Sequence, residues 1–180
     1  MNLRTSWRSA LLAGAALALV AGCTSAEPTP EPSDGGIEGV QTYGDLTRDH
    51  TDDDVAYPQS PPVGGDHDNE WVDCTGTVYS EEVPNGKAVH ALEHGAVWVT
   101  YTDEVSPDDV EALAAKVDGQ PYSFMSPYAD QDSPITLTAW GVQLGLDDAS
   151  DRRIDEFFGT YRSGPQTPEP GATCEAGGMA

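Results

Sequence analysis

The chain has 180 residues, with 8 Lys+Arg against 31 Asp+Glu, a formal charge of −23 and a pI near 4.1. That balance excludes nucleic acid as a partner, because counterion displacement from phosphates needs a basic footprint, and it equally excludes polybasic attachment to anionic lipid. The length suits one domain of ordinary size with linkers, and 19 Gly and 14 Pro beside 38% hydrophobic residues point to a loop-rich protein.

The N-terminus reads as a targeting segment. Arg4 and Arg8 precede an apolar run, Ala10 to Val20, which is too short for a convincing membrane span. Val20-Ala21-Gly22-Cys23 follows, a small-residue run before a cysteine that resembles the cleavage site of bacterial lipoprotein signals. Residues 1–22 are therefore expected to be removed and Cys23 to be lipidated. Their loss takes away two arginines and no acid, which deepens the formal charge to −25. Attachment must then come from acyl chains, since the protein surface is repelled by anionic lipid. Residues 23–39 read as a flexible Pro/Glu-rich tether. The expected location is the outer face of the cytoplasmic membrane, lipid-anchored and extracytoplasmic.

A single globular domain is expected over residues 40–162, loop-rich in front and regular behind. From Gln41 to Gly86 the prolines and glycines, among them Pro61-Pro62 and Gly64-Gly65, leave no room for an interior helix. Residues 96–102 (AVWVTYT) alternate in the manner of a strand. Ser106-Pro107-Asp108-Asp109 then opens a helix whose Val110, Leu113, Ala114 and Val117 share one face. Residues 122–125 and 135–140 (ITLTAW) read as two more strands, the first closed by Ser126-Pro127. Ser150-Asp151 caps a last helix presenting Ile154, Phe157, Phe158 and Tyr161. The order β-α-β-β-α predicts an α+β fold, a small mixed sheet with helices on one face.

With Cys23 lipidated, Cys74 and Cys174 remain as an even pair in an oxidising compartment, and a disulfide between them is expected. It pins the Gly/Pro-rich tail, residues 163–180, to the domain.

All four histidines, His50, His67, His90 and His94, precede the regular half. Imidazole is the commonest neutral metal ligand, and loops braced by proline and glycine can aim it. His90 and His94 reach one ion only if residues 88–94 form a helical turn, since four residues of strand span ~13 Å while i and i+4 of a helix lie ~6 Å apart. Gly95 is placed to end such a turn. Glu93 is available as a ligand or as an acceptor that orients a ring. The expected site is a copper or zinc ion held by His67, His90 and His94, with His50 or Glu93 completing it. No catalytic residue is assigned. His90-Ala91-Leu92-Glu93-His94 also fits H-x-x-E-H, so a small zinc hydrolase is one rival; the other is a non-catalytic envelope interaction module with structural histidines. The acidic run Asp45 to Asp54 lacks calcium-loop spacing and reads as solvated, and Met125 reads as core rather than a copper ligand.

Several pieces together resemble the bacterial domain-of-unknown-function family 3105, in its lipoprotein subgroup. They are Pro61-Pro62…Gly65…His67, Trp71…Cys74…Tyr79, Val89-His90-Ala91-Leu92-Glu93-His94-Gly95-Ala96-Val97, Ser126-Pro127-Tyr128, Ala139-Trp140-Gly141 and Pro168-Glu169-Pro170-Gly171…Cys174. The resemblance covers roughly residues 40–176. It implies histidine positions at 50, 67, 90 and 94 and an envelope metal-handling protein as partner, but no reaction.

Overall fold

The computed structural model describes residues 31–32 and 36–175. The expected signal segment, Cys23 and most of the expected tether therefore lie outside the described residues.

Alternation of apolar residues along the strands divides the described chain into two cores on opposite faces of one sheet. Seven strands contribute: β1 Glu31–Pro32, β2 Gln41–Thr42, β3 Thr75–Val78, β4 Val97–Tyr101, β5 Ser123–Pro127, β6 Ile135–Ala139 and β7 Val142–Leu146. Three helices join them: α1 Asn85–Glu93, α2 Pro107–Val117 and α3 Arg153–Tyr161. The strand order is β1-β2-β7-β6-β4-β5-β3, with β5 parallel to both β3 and β4 and the other neighbours antiparallel. This is the expected α+β class with a mixed sheet.

Val97 and Val99 of β4, Met125 of β5, Ile135 and Leu137 of β6 and Leu144 of β7 point to one face. There α2 and α3 cover them with Leu113, Val117, Ile154 and Phe157. These are the two helices of the expected order, lying together on one face. Ser106 accepts the Asp109 N–H as the N-cap of α2. α3 starts at Arg153, and its first-turn bond runs from the Arg153 N–H to the Asp151 carboxylate, while the Ser150 hydroxyl turns back to Asp148. Met125 is fully buried in this core, on the face away from the histidines.

The intervening residues, Trp98 and Phe124, point the other way and stack at 5.5 Å between ring centroids. They meet Ala88, Val89, Ala91 and Leu92 of α1 together with Trp140, Val72 and the Cys74–Cys174 disulfide. Burying side chains of this size stabilises by about 1.5–3 kcal/mol apiece. The loop-rich front half thus has its own core, with α1 as its one helix. β5 continues through Ser126-Pro127 because Pro127 stands at the strand's end, opposite Tyr101. β7 forms a hairpin with β6 in which Ala139 pairs with Val142 across Trp140-Gly141. Among the described residues no helix is long and apolar enough to cross a membrane.

Candidate metal centre

α1 is the element that builds the site. It carries Val89-His90-Ala91-Leu92-Glu93 in one continuous helix, with His94 as its C-cap residue. The helix ends at Gly95, whose φ of +105° is open to glycine and costly for other residues. The Gly95 N–H donates to Leu92 O and the Ala96 N–H to Ala91 O, which satisfies two carbonyls that the helix end leaves over. The helical turn required at 88–94 is therefore present, and it puts His90 and Glu93 on the same side.

His67 arrives from the Pro61–His67 loop. Val63 is fully buried, and its carbonyl accepts the Gly141 N–H at the β6–β7 turn. A Cβ on Gly64 would stand 2.7 Å from Leu46 Cδ1 and 3.2 Å from the Trp140 ring, so the loop docks this closely only with glycine there. His50 is brought alongside by a short bridge: His67 N–H donates to Asp49 O and Thr51 N–H to His67 O. Residues 40 apart in helix and loop thus converge through backbone hydrogen bonds.

Of the five expected residues, His50, His67, His90 and Glu93 present ligand atoms that all lie within 4.8 Å of one another. The three imidazoles pack with centroids 4.7–4.9 Å apart. The His67 Nδ1 stands 2.8 Å from Gly65 O and the His90 Nδ1 2.7 Å from Asp68 O. A carbonyl oxygen can only accept, so each Nδ1 carries a proton, and in the neutral ring each Nε2 presents its lone pair. This is the orientation that metal-binding imidazoles take when a backbone carbonyl braces them.

His67 Nε2 lies 3.0 Å from Glu93 Oε2 and His50 Nε2 lies 3.7 Å from the same oxygen. Both His67 Nε2 and Glu93 Oε2 are buried without a hydrogen-bond partner. A ring nitrogen and a carboxylate oxygen held this close away from water need a proton or a metal ion between them. With zinc bonds of ~2.0–2.2 Å to nitrogen and oxygen, donors about 3 Å apart form one edge of a coordination shell. The residues present fit a divalent transition-metal ion, with three imidazole nitrogens and one carboxylate oxygen and no thiolate.

The fifth residue, His94, is placed differently. Its ring meets His90 edge-on at 4.6 Å and its Nδ1 is braced by Thr173 O at 2.8 Å, as the other two are braced, but its Nε2 stands 4.0 Å from Glu169 Oε2 and is not among the ligand atoms gathered within 4.8 Å. The tail makes this contact because Cys74 and Cys174 are joined by a disulfide 100 residues apart in sequence, and because Glu169 N–H donates to Glu93 O. Trp71 closes the same side, with its ring 5.0 Å from His90 and 4.8 Å from His94. Burial pushes His90 down to about 4, with the neighbouring imidazoles adding to the shift and the Asp68 carbonyl opposing it. Burial also lowers His94, against the pull of Thr173, Glu169 and Glu93. Both rings are therefore neutral at physiological pH.

An open cleft reaches the cluster from outside. Leu46, Arg48, Asp49, His50, Glu93 and Glu169 are among its lining residues. Sequence reading had not singled out Glu169 or the carbonyls of Gly65, Asp68 and Thr173 as parts of the site. Backbone acceptors leave no residue-type signal, and Glu169 reaches the site only through the disulfide-tied tail. The acidic run Asp45 to Asp54 is largely exposed, as a solvated segment should be.

The sequence model of the family described as Protein of unknown function (DUF3105) matches residues 49–176, which takes in all four histidines, Glu93 and both bridged cysteines. Comparison with curated proteins and comparison with solved structures find no match.

Proposed function

The chain belongs to the DUF3105 family, and on that premise we propose that it is a cell-envelope lipoprotein that binds one copper or zinc ion and sequesters or delivers it. The observation that carries the reading is the buried, unpartnered pair His67 Nε2 and Glu93 Oε2. His50 and His90 complete the donor set. Nitrogen-rich ligation with one carboxylate suits Cu(II) and Zn(II), and both cysteines that could have supplied thiolate are joined to each other. When bound, the ion supplies a Lewis-acidic centre and the charge that the two facing acceptors require.

The protein's own residues do the rest. Gly65 and Asp68 carbonyls hold two imidazoles as neutral ligands, and the His90 ring, titrating near 4, takes up no competing proton at neutral pH. Glu93 stands among the donors, which favours binding over the water-activating role that an H-x-x-E-H hydrolase gives its glutamate. The Cys74–Cys174 disulfide supports placement outside the cytoplasm, and Cys23 after Val20-Ala21-Gly22 supports anchoring to the outer face of the cytoplasmic membrane. An envelope metal-handling protein is the partner this role calls for.

Titration of the full-length chain with Cu(II) and with Zn(II) tests the reading. Saturation near one equivalent, with imidazole nitrogen in the copper spectrum, is expected; a chain that leaves both ions free at micromolar concentration contradicts it.

A further inference from the structure

The four donors are not equivalent. His67, His90 and Glu93 are 0–3% exposed and sit on α1 or in a loop wedged against Trp140. The rings of His67 and His90 are each locked through Nδ1 to a backbone carbonyl. His50 differs in each respect. Its side chain is 43% exposed, it lies in an exposed loop, and among the described residues no hydrogen bond fixes its ring. Its contacts are stacking on His90 at 4.7 Å, an edge contact with His67, and the 3.7 Å approach to Glu93. It also lines the open cleft that reaches Glu93, beside Asp49 and Glu169.

From this asymmetry we infer that His50 is the exchangeable ligand, through which the ion enters and leaves while His67, His90 and Glu93 hold it. The inference rests on the metal reading above and adds a direction of transfer to it. An imidazole with one face in water can rotate off the ion at the cost of a stacking contact. Displacing any of the other three strands a buried polar atom without a partner. When His50 swings away, the vacated position faces the cleft, where a donor group from an acceptor protein can take its place before the remaining bonds break. Ligand substitution of this kind never releases a free ion. At the cleft the carboxylates of Asp49, Glu93 and Glu169 outnumber the one guanidinium, Arg48, which favours the approach of a cation and of an acceptor that presents neutral donors rather than a free anion. The acceptor is thus a metal-binding protein with an exposed imidazole donor.

The test uses the full-length chain loaded with Cu(II) and a small neutral chelator, 2,2′-bipyridine, as the acceptor, with copper absorbance followed by stopped flow. In the wild type the transfer rate rises with chelator concentration, because the chelator enters before the ion has left. His50→Ala still binds one equivalent and surrenders it about 10–100-fold faster, the scale on which altering one part of a metal site acts. His67→Ala and Glu93→Gln fail to retain the ion. A His50→Ala chain that binds no copper, or that transfers it no faster than the wild type, overturns the inference while leaving the metal site intact. A wild-type chain that binds neither copper nor zinc overturns the metal reading, and this inference with it. His50 lies in an exposed loop, so its substitution is not expected to disturb folding, and the far-ultraviolet circular dichroism of the variant checks this.

Discussion

His67 Nε2 and Glu93 Oε2 face each other at 3.0 Å, both buried, with no hydrogen bond between them or to any other group. The Gly65 carbonyl accepts the His67 Nδ1 proton, so in the neutral ring the nitrogen facing Glu93 carries a lone pair. Facing a carboxylate at that distance, a neutral ring is a stability cost in the metal-free chain, and the two groups become a pair of ligands once a metal ion lies between them.

Glu93→Gln separates these two roles. The substitution keeps the shape and removes the charge, so the metal-free variant melts no lower than the metal-free wild type. Bound metal raises wild-type stability by about 4 kcal/mol at a thousandfold excess over the dissociation constant. The variant loses most of that rise. Thermal melts with and without zinc read both effects; a variant that melts lower without metal and keeps the full rise contradicts the assignment.

His90 sets a pH dependence in the metal-free chain. Burial holds it near 4, below its ordinary value of 6.5, so between those limits the unfolded chain takes up a proton that the folded chain refuses. Stability from this group is complete above pH 6.5 and is lost as the pH falls toward 4, by roughly 2–3 kcal/mol. Urea unfolding at pH 7.0, 5.5 and 4.0 should show that fall in the wild type and a shallower one in His90→Gln. Parallel slopes would contradict it.

Gly95 is the point where the helix must stop. With φ at +105°, and a Cβ there 3.0 Å from the Thr167 side chain and 3.1 Å from Ser163 Cα, Gly95→Ala both strains the backbone and pushes the tail away. The expected loss is about 2 kcal/mol or more. Chemical denaturation measures it, and a loss below about 0.5 kcal/mol would show that the turn and the tail give way freely.

The Cys74–Cys174 bridge holds the segment that fixes His94. Closing a loop of 100 residues is worth about 4–5 kcal/mol in the chain-entropy account. The double substitution Cys74→Ser and Cys174→Ser should destabilise by roughly 2–5 kcal/mol and free the His94 ring from Thr173. Nuclear magnetic resonance of the His94 ring reads the second effect; a ring signal unchanged after removal of the bridge would contradict it.

The regular half was legible because its periodicities are local. Val110, Leu113, Ala114 and Val117 recur at helical spacing, and Ile135, Leu137 and Ala139 at strand spacing, each facing the core its period implies. β7 escaped notice because Gly145 interrupts its alternation and the two-residue Trp140-Gly141 turn leaves little punctuation. β3 escaped because Gly76 sits inside it at φ +95°, in a register shift where a Cβ would strike the backbone of Gln120 at 2.3 Å.

Histidine content and the spacing of His90, Glu93 and His94 located the candidate site. They could not say which ring nitrogens converge. That choice depends on the carbonyls of Gly65, Asp68 and Thr173, and the last of these comes from 79 residues beyond His94. A ligand set read from i, i+4 spacing therefore includes His94, whereas in the fold its Nε2 faces Glu169, and the ligand atoms gathered within 4.8 Å are those of His50, His67, His90 and Glu93.

The most direct measurement is elemental analysis of the full-length chain after equilibration with copper and zinc and removal of free ion. His67→Ala, Glu93→Gln and His94→Ala are carried through the same steps. The donor set described above predicts near one equivalent of metal in the wild type and in His94→Ala, and close to none in the other two. Metal retained by His67→Ala and Glu93→Gln, or lost with His94→Ala alone, would contradict it.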